Sequence, residues 1–251
     1  MMIYISHLVE DMDMKEIISE TKAGVESIDF SIADNLDRLT ESVESYKKRL
    51  ELIGAKHLIL HGPFLDLNPV SFDSEIMKVT EKRFDQAYEA AKMLGAQKIV
   101  YHTGYNPGIY MLIGWAERIA DFMNQFLQQR HEIEIVLENM YDREWEPIVK
   151  TAKMIEAKNF KLCLDIGHAN CYSKIPAEEW AGGMSAYIGH VHVHDNMGDK
   201  DAHMALGCGS INAENVLNQL KNKKDCTYTI ECSTRKDILS SYEVLKRILS
   251  Q

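Results

Sequence analysis

The sequence predicts an α/β fold built as a single (β/α)8 barrel, and three observations lead to that prediction. Eight short runs rich in β-branched and aromatic residues alternate with longer amphipathic segments as far as the end of the chain. A length of 251 residues suits a barrel of this kind. A doubly wound open sheet is the alternative, but it usually has fewer strands and a glycine-rich turn after the first, and no such turn follows ISHLVED.

The predicted elements follow one another in strand–helix order. The eight predicted strands are MIYIS (2–6), GVESIDF (24–30), HLILH (57–61), KIVYH (98–102), IEIVLE (133–138), FKLCLD (160–165), YIGHVHVH (187–194) and CTYTIE (226–231). Between them, segments such as LTESVESYKKRLELIGA and TEKRFDQAYEAAKMLGA place apolar residues at helical spacing and have a glycine near the C-terminal end. With five prolines and no linker-like stretch, the sequence predicts one domain over residues 1–251.

Composition excludes several classes of protein. A formal charge of -10 argues against a generally basic surface for nucleic acid. No apolar run approaches the roughly 18 to 20 residues that cross a bilayer, and MMIYISHLVEDMD has no basic segment ahead of its apolar run. Five cysteines with no C-x-x-C pair do not suggest a disulfide framework. We therefore expect a reduced, cytoplasmic protein without a membrane partner.

Metal-binding residue types fall where the predicted strands end. A barrel builds its active site from the C-terminal ends of its strands and the loops that follow. The residues in question are His61, His102, Glu138, Asp165, His168, the triplet His190, His192 and His194, Asp201, His203 and Glu231. Taken alone, any one of these residues is more simply interpreted as a buried histidine or as an acidic residue that caps a helix. Six consecutive strands end in a carboxylate or an imidazole, however, and that interpretation would require six independent coincidences. So many carboxylates in one concave space call for cations, and ligands without cysteine suit zinc, manganese or iron.

The motifs HGPF, YHTGY, VLENMYD, LDIGHAN, HVHDN and TIEC together resemble the xylose-isomerase-like TIM barrels. That superfamily includes endonuclease IV, of AP endonuclease family 2, and many sugar and sugar-phosphate isomerases and epimerases. The resemblance to endonuclease IV implies a trinuclear zinc site, whose ligands here would be His61, His102, Glu138, Asp165, His168, His192, Asp201, His203 and Glu231. Its H-x-x-D pattern selects His192 from the histidine triplet and leaves His190 inside the barrel.

The isomerase and epimerase branch implies different chemistry from fewer of these residues. It usually holds one divalent ion with Glu138, Asp165, His192 and Glu231. The two glutamates would also act as catalytic acid/base groups, while the metal stabilises an enediolate. One to three ions per chain therefore stay open, with zinc as the first choice.

Departures from endonuclease IV guide the choice between the branches. After strand two there is no arginine until Arg38, Phe64 stands where a tyrosine is expected, and Asp66 adds negative charge. Because phosphate contacts supply most of the affinity for DNA, a rim poor in lysine and arginine disfavours duplex DNA. The sequence thus favours an isomerase or epimerase acting on a sugar or sugar phosphate. A zinc phosphoesterase is the alternative, and a non-catalytic metal-loaded sugar-binding module is the third.

Four further residues are candidates for substrate binding. They are His7, Tyr105, Asn139 and His194. His7 follows strand one, and an ordinary loop histidine is an equal interpretation for it. His194 lies one step beyond His192 on the same strand face, towards substrate or a partner of a metal ligand. The sequence does not decide whether the chain forms a homo-oligomer.

Overall fold

The computed structural model describes residues 1–250 and contains eight strands. They are β1 (Met2–Ser6), β2 (Gly24–Ser27), β3 (Leu58–His61), β4 (Lys98–His102), β5 (Glu134–Glu138), β6 (Phe160–Asp165), β7 (Ile188–Val193) and β8 (Thr227–Ile230). Each strand pairs in parallel with the next, and β8 pairs with β1, so the sheet closes into a barrel. The predicted (β/α)8 barrel is confirmed.

Ten α-helices accompany the strands in the described part of the chain. They are α1 (Asp11–Thr21), α2 (Ala33–Asp37), α3 (Leu39–Ile53), α4 (Ser74–Leu94), α5 (Trp115–Leu127), α6 (Glu146–Met154), α7 (Ile166–Tyr172), α8 (Ala177–Met184), α9 (Ala213–Asn218) and α10 (Arg235–Leu249). Gly54 and Gly95 end α3 and α4 in the left-handed conformation, as the two predicted glycine stops require. No helix within residues 1–250 combines the length and apolar character needed to span a membrane.

Strand two is the one strand that departs clearly from its predicted range. The run GVESIDF predicts a strand over 24–30, but β2 ends at Ser27 and a 3-10 helix occupies Asp29–Ser31. The Ser27 hydroxyl accepts a hydrogen bond from the backbone N–H of Asp29, and this local bond turns the chain out of the sheet. Apolar periodicity could not reveal that turn.

Two apolar clusters fix the position of the site. The larger cluster fills the space between the barrel and its helices. The smaller one lies inside the barrel and consists of Tyr4, Ile59, Val100, Val136 and Cys163. Because side chains alternate along a strand, the next inward-pointing positions lie one layer higher. The register pairs His102 with Glu138 and Asp165 with His192, so these residues lie side by side above the apolar layer.

Candidate metal centre

All nine residues of the predicted ligand set meet at the C-terminal mouth of the barrel. Every one of them has a ring nitrogen or carboxylate oxygen within 4 Å of another member. Seven are buried, and Asp201 and His203, which lie on the loop after β7, are partly exposed. The structure therefore brings together residues spread over 170 positions of sequence, from His61 to Glu231. Their contacts form three groups.

The first group joins the ends of three adjacent strands, β3, β4 and β5. The Nε2 atoms of His61 and His102 are 3.2 Å apart. They lie 3.6 and 3.3 Å from Oε2 of Glu138. Nδ1 of His61 donates a hydrogen bond to the carbonyl of Gly62, so its Nε2 presents a lone pair to the group.

The second group surrounds one nitrogen of His192. Its Nδ1 lies 3.2 Å from Oε1 of Glu138, 3.5 Å from Oε1 of Glu231 and 3.8 Å from Oδ2 of Asp165. The three carboxylates come from β5, from its neighbour β6 and from the residue after β8, so three strands contribute to a single point.

The third group is built on the loop after β7. Nε2 of His168 and Nε2 of His203 lie 3.3 and 3.1 Å from the same oxygen of Asp201, Oδ2. Nδ1 of His168 donates to the carbonyl of Asn139, and Nδ1 of His203 donates to the carbonyl of Glu231. The backbone carbonyls thus occupy Nδ1 of both rings and leave Nε2 as the nitrogen that faces Asp201, an orientation that second-layer bonds also give to metal-binding histidines. Burial opposes protonation of both rings, but the neighbouring carboxylates, Asp201 among them, outweigh it and raise the pKa of His168 and of His203. His203 has a φ of 45°, a strained backbone conformation for this residue type.

These residues fit a divalent cation. Several of their buried polar atoms have no hydrogen-bond partner within the described residues, including Oε2 of Glu138, Nδ1 of His192 and Oδ1 of Asp201. An unpaired buried polar atom costs about 1–3 kcal/mol, whereas a bound ion would satisfy several at once. Imidazole and carboxylate donors without thiolate suit zinc, manganese or iron. The geometry leaves one, two or three ions open.

The pKa values of Glu138 and Glu231 are shifted in opposite directions. Burial opposes ionisation of Glu138, yet His192 and His102 outweigh it and hold the pKa of Glu138 well below its ordinary value. Burial raises the pKa of Glu231, and the neighbouring carboxylates of Asp165 and Glu138 add to the effect despite His192. The two carboxyl groups therefore differ in environment although they face the same imidazole.

The two histidines of β7 and His194, which follows the strand directly, have three separate environments. His190 lies one layer below His192, where its ring contacts the hydroxyls of Thr227 and Thr229 at 2.7 and 2.9 Å. Burial lowers the pKa of His190 to about 4, so it is a neutral residue of the barrel interior. His194 is fully buried, and its Nε2 lies 3.2 Å from both oxygens of Asp165.

Of the four residues predicted to contact substrate, three do not line the cavities at the mouth of the barrel. His7 points outwards from β1 and contacts the Tyr46 hydroxyl at 3.0 Å and Asp11 at 3.1 Å, because alternate residues of a strand face opposite sides. The Asn139 side chain is buried and exchanges two hydrogen bonds with the backbone of Asp165. His194 does not line the cavity above the centre, but its Nε2 lies 3.2 Å from Asp165 and 3.6 Å from Asp201, which makes it a partner of predicted metal ligands. Only Tyr105 lines a cavity at the mouth.

Glu26 is a residue of the centre that the sequence did not single out. It lies on β2, is fully buried, and places Oε1 3.1 Å from Nε2 of His192. Its other oxygen accepts a hydrogen bond from the Thr229 hydroxyl and lies 3.3 Å from Nε2 of His190. Burial opposes its ionisation, but His192 and His190 hold its pKa well below the ordinary value. A carboxylate within a short, fully buried strand was the available signal.

Comparison with known proteins places the fold in a family. A family model described as "Xylose isomerase-like TIM barrel" matches residues 21–248. The uncharacterized protein MJ1311 of Methanocaldococcus jannaschii is 33% identical over 210 residues, which make up 76% of this chain and 70% of that protein. The probable endonuclease 4 of Mycobacterium leprae is 25% identical over 174 residues, 64% of this chain and 68% of that protein.

A solved structure, described as that of a D-tagatose 3-epimerase-like protein, is 27% identical and superposes with a TM-score of 0.76. The match covers 100% of this chain and 97% of the other. Both epimerase-like and endonuclease relatives are thus similar to this chain. The chain belongs to the xylose isomerase-like TIM barrel family.

Proposed function

We propose that this protein is a divalent-metal-dependent isomerase or epimerase that acts on a sugar or sugar phosphate. The observation that carries the proposal is the placement of Glu138 and Glu231. Both face Nδ1 of His192 and both line the floor of a cavity of about 290 Å³, which suits a small substrate. The 27% identical epimerase-like structure, matched over the whole chain, supports the same class.

The residues that would hold the ion are His192, Glu138, Asp165 and Glu231. A divalent ion held there would supply Lewis-acid stabilisation of the negative charge that develops on the substrate. Proton transfer at the carbon beside the substrate carbonyl falls to the carboxylates. Glu138 and Glu231 come from β5 and from the end of β8, three positions apart around the barrel, so they approach from different sides. An epimerase that removes a proton from one face and returns one to the other needs two such groups.

A metal-dependent phosphoesterase is the second candidate function. The observation that favours it is the third group, in which His168 and His203 both direct Nε2 at Asp201. An isomerase with a single ion has no need of that arrangement, whereas two or three ions could bridge a phosphate and activate water. The cavity above the centre argues against DNA as substrate, because none of its lining residues is lysine or arginine.

Two measurements on purified protein distinguish these candidates. The isomerase proposal expects exchange of solvent deuterium into a ketose or its phosphate, detected by NMR, that stops when metal is removed and returns when it is restored. Cleavage of an abasic-site duplex or of bis(4-nitrophenyl) phosphate, with close to three ions per chain, would refute it in favour of the phosphoesterase. Sugar binding without either reaction would support the non-catalytic module.

A further inference from the structure

A second cavity adjoins the one above the metal centre. It measures about 480 Å³ and lies between the loop that follows β3 and the loop that follows β4. The two cavities share three wall residues, Phe64, His102 and Met140. Phe64 stacks on the ring of His102, with centroids 4.5 Å apart, and so separates the two spaces. A ligand held at the metal centre therefore has this second space within reach.

The second cavity is lined chiefly by apolar side chains. They are contributed by both loops and by the segment that follows β5, and include Leu65, Leu67, Ile109, Tyr110, Met140 and Tyr141. Leu65 and Ile109 remain 69% and 72% exposed, which is costly for side chains that have no polar atoms. A ligand that covered them would bury this apolar surface and gain binding energy.

The charge of the second cavity is unsuited to a phosphate group. None of its lining residues is lysine or arginine, and Asp66 is its one carboxylate. A phosphate there would meet a like charge and no guanidinium or ammonium donor. Besides Asp66, the polar residues that line it include the uncharged Tyr105, Asn68 and Asn106.

From these observations we propose that the second cavity binds an aromatic or comparable apolar substituent of the substrate. The inference rests on the proposed function, in that the polar sugar portion occupies the metal centre. The substrate class is then a sugar that keeps a free carbonyl for the metal centre and carries an apolar substituent elsewhere, and not a bare sugar or its phosphate. The substituent passes Phe64 and packs against Leu65, Leu67 and Ile109, while Tyr105 and Asn106 are available to its polar atoms.

The test measures binding to metal-loaded protein by calorimetry. The probes are glucose, galactose, mannose and xylose, each as the free sugar, the 4-nitrophenyl glycoside and the terminal phosphate ester. The glycosides have no free carbonyl, so they serve as non-reacting probes of the apolar contact. At least one 4-nitrophenyl glycoside is expected to bind about tenfold or more tightly than both its free sugar and its phosphate. Ile109→Asp should remove most of that advantage and leave the bound metal unchanged, because Ile109 is exposed and lies outside the centre.

Ile113→Asp is the matched control. Ile113 lies on the same loop and is 82% exposed, but it does not line the cavity, so this variant should bind every probe as the unmodified protein does. Equal affinity for all three forms, tighter binding of the phosphate, or no binding of any aryl glycoside would overturn the proposal. Equal losses in Ile109→Asp and Ile113→Asp would also overturn it. Binding is measured without turnover, so the two proposals can fail separately. Tighter binding of a 4-nitrophenyl glycoside, found together with no exchange of solvent deuterium into a ketose or its phosphate, would refute the isomerase reaction and retain the apolar subsite.

Discussion

Replacing Glu26 with glutamine tests whether a residue outside the predicted ligand set controls the metal centre. Glu26→Gln keeps the size of a fully buried side chain and removes its negative charge. Oε1 of Glu26 lies 3.1 Å from Nε2 of His192, on the far side of the ring from the carboxylates that face Nδ1. A carboxylate in that position orients a metal-binding imidazole and raises its basicity.

The expected loss of metal affinity follows from this contact. Removing such a partner typically costs 10–100-fold in affinity, and the complete burial of both side chains places this case near the upper figure. A loss of about 100-fold corresponds to about 2.7 kcal/mol. Competition of the apoprotein with a zinc-chelating dye measures it directly, without reference to the reaction catalysed. The thermal midpoints of both apoproteins, measured in parallel, report any loss of folding.

Two results would refute this reasoning about Glu26. Unchanged zinc affinity in Glu26→Gln would show that the contact with His192 does not support metal binding. Loss of one whole equivalent of zinc, and not a weaker affinity, would show that Glu26 is itself a ligand. Glu26→Asp, which keeps the charge on a shorter side chain, should recover part of the affinity if charge is the main contribution.

Three further predictions concern the surroundings of the centre. His192→Ala should release most of the bound metal, whereas His190→Ala should retain it, and metal analysis of the two purified variants checks this. A larger loss of metal in His190→Ala would refute the assignment of the two histidines to their layers on β7. Burial raises the pKa of Asp142 to about 6, so above that pH ionisation of this carboxyl disfavours folding by up to about 3 kcal/mol. Asp142→Asn should therefore raise the free energy of unfolding, measured with urea against the unmodified protein, by more at pH 8 than at pH 4.5. An equal difference between the two proteins at both pH values would contradict this. A Cβ on Gly167 would lie 1.9 Å from Cε1 of His194, so Gly167→Ala should lose about 1–3 kcal/mol of stability. Gly182→Ala, whose Cβ would have its nearest neighbour at 3.8 Å, should lose less than about 1 kcal/mol, and similar losses in both would count against the packing argument.

The environments of individual ligands show where sequence reasoning was sufficient and where it was not. Alternation of side chains along β7 separates His190 from His192 by one layer, and the structure places them so. The same alternation turns His7 outwards, but the sequence could not fix that direction, because the run MIYIS is apolar on both faces. A strand buried on both sides carries no polar–apolar pattern from which to infer its orientation.

The sequence by itself determined two features of this protein. They are the barrel fold and the end of the barrel at which the metal-binding residue types lie. Both follow from local patterns, namely the alternation of β-rich and amphipathic segments and the residue that closes each strand. The tertiary structure decided which atoms face one another. It paired Glu26 with His192, turned His7 and Asn139 away from the mouth, and opened an apolar cavity beside Phe64. These features depend on distances between residues far apart in the chain, which barrel closure sets and which no local pattern records.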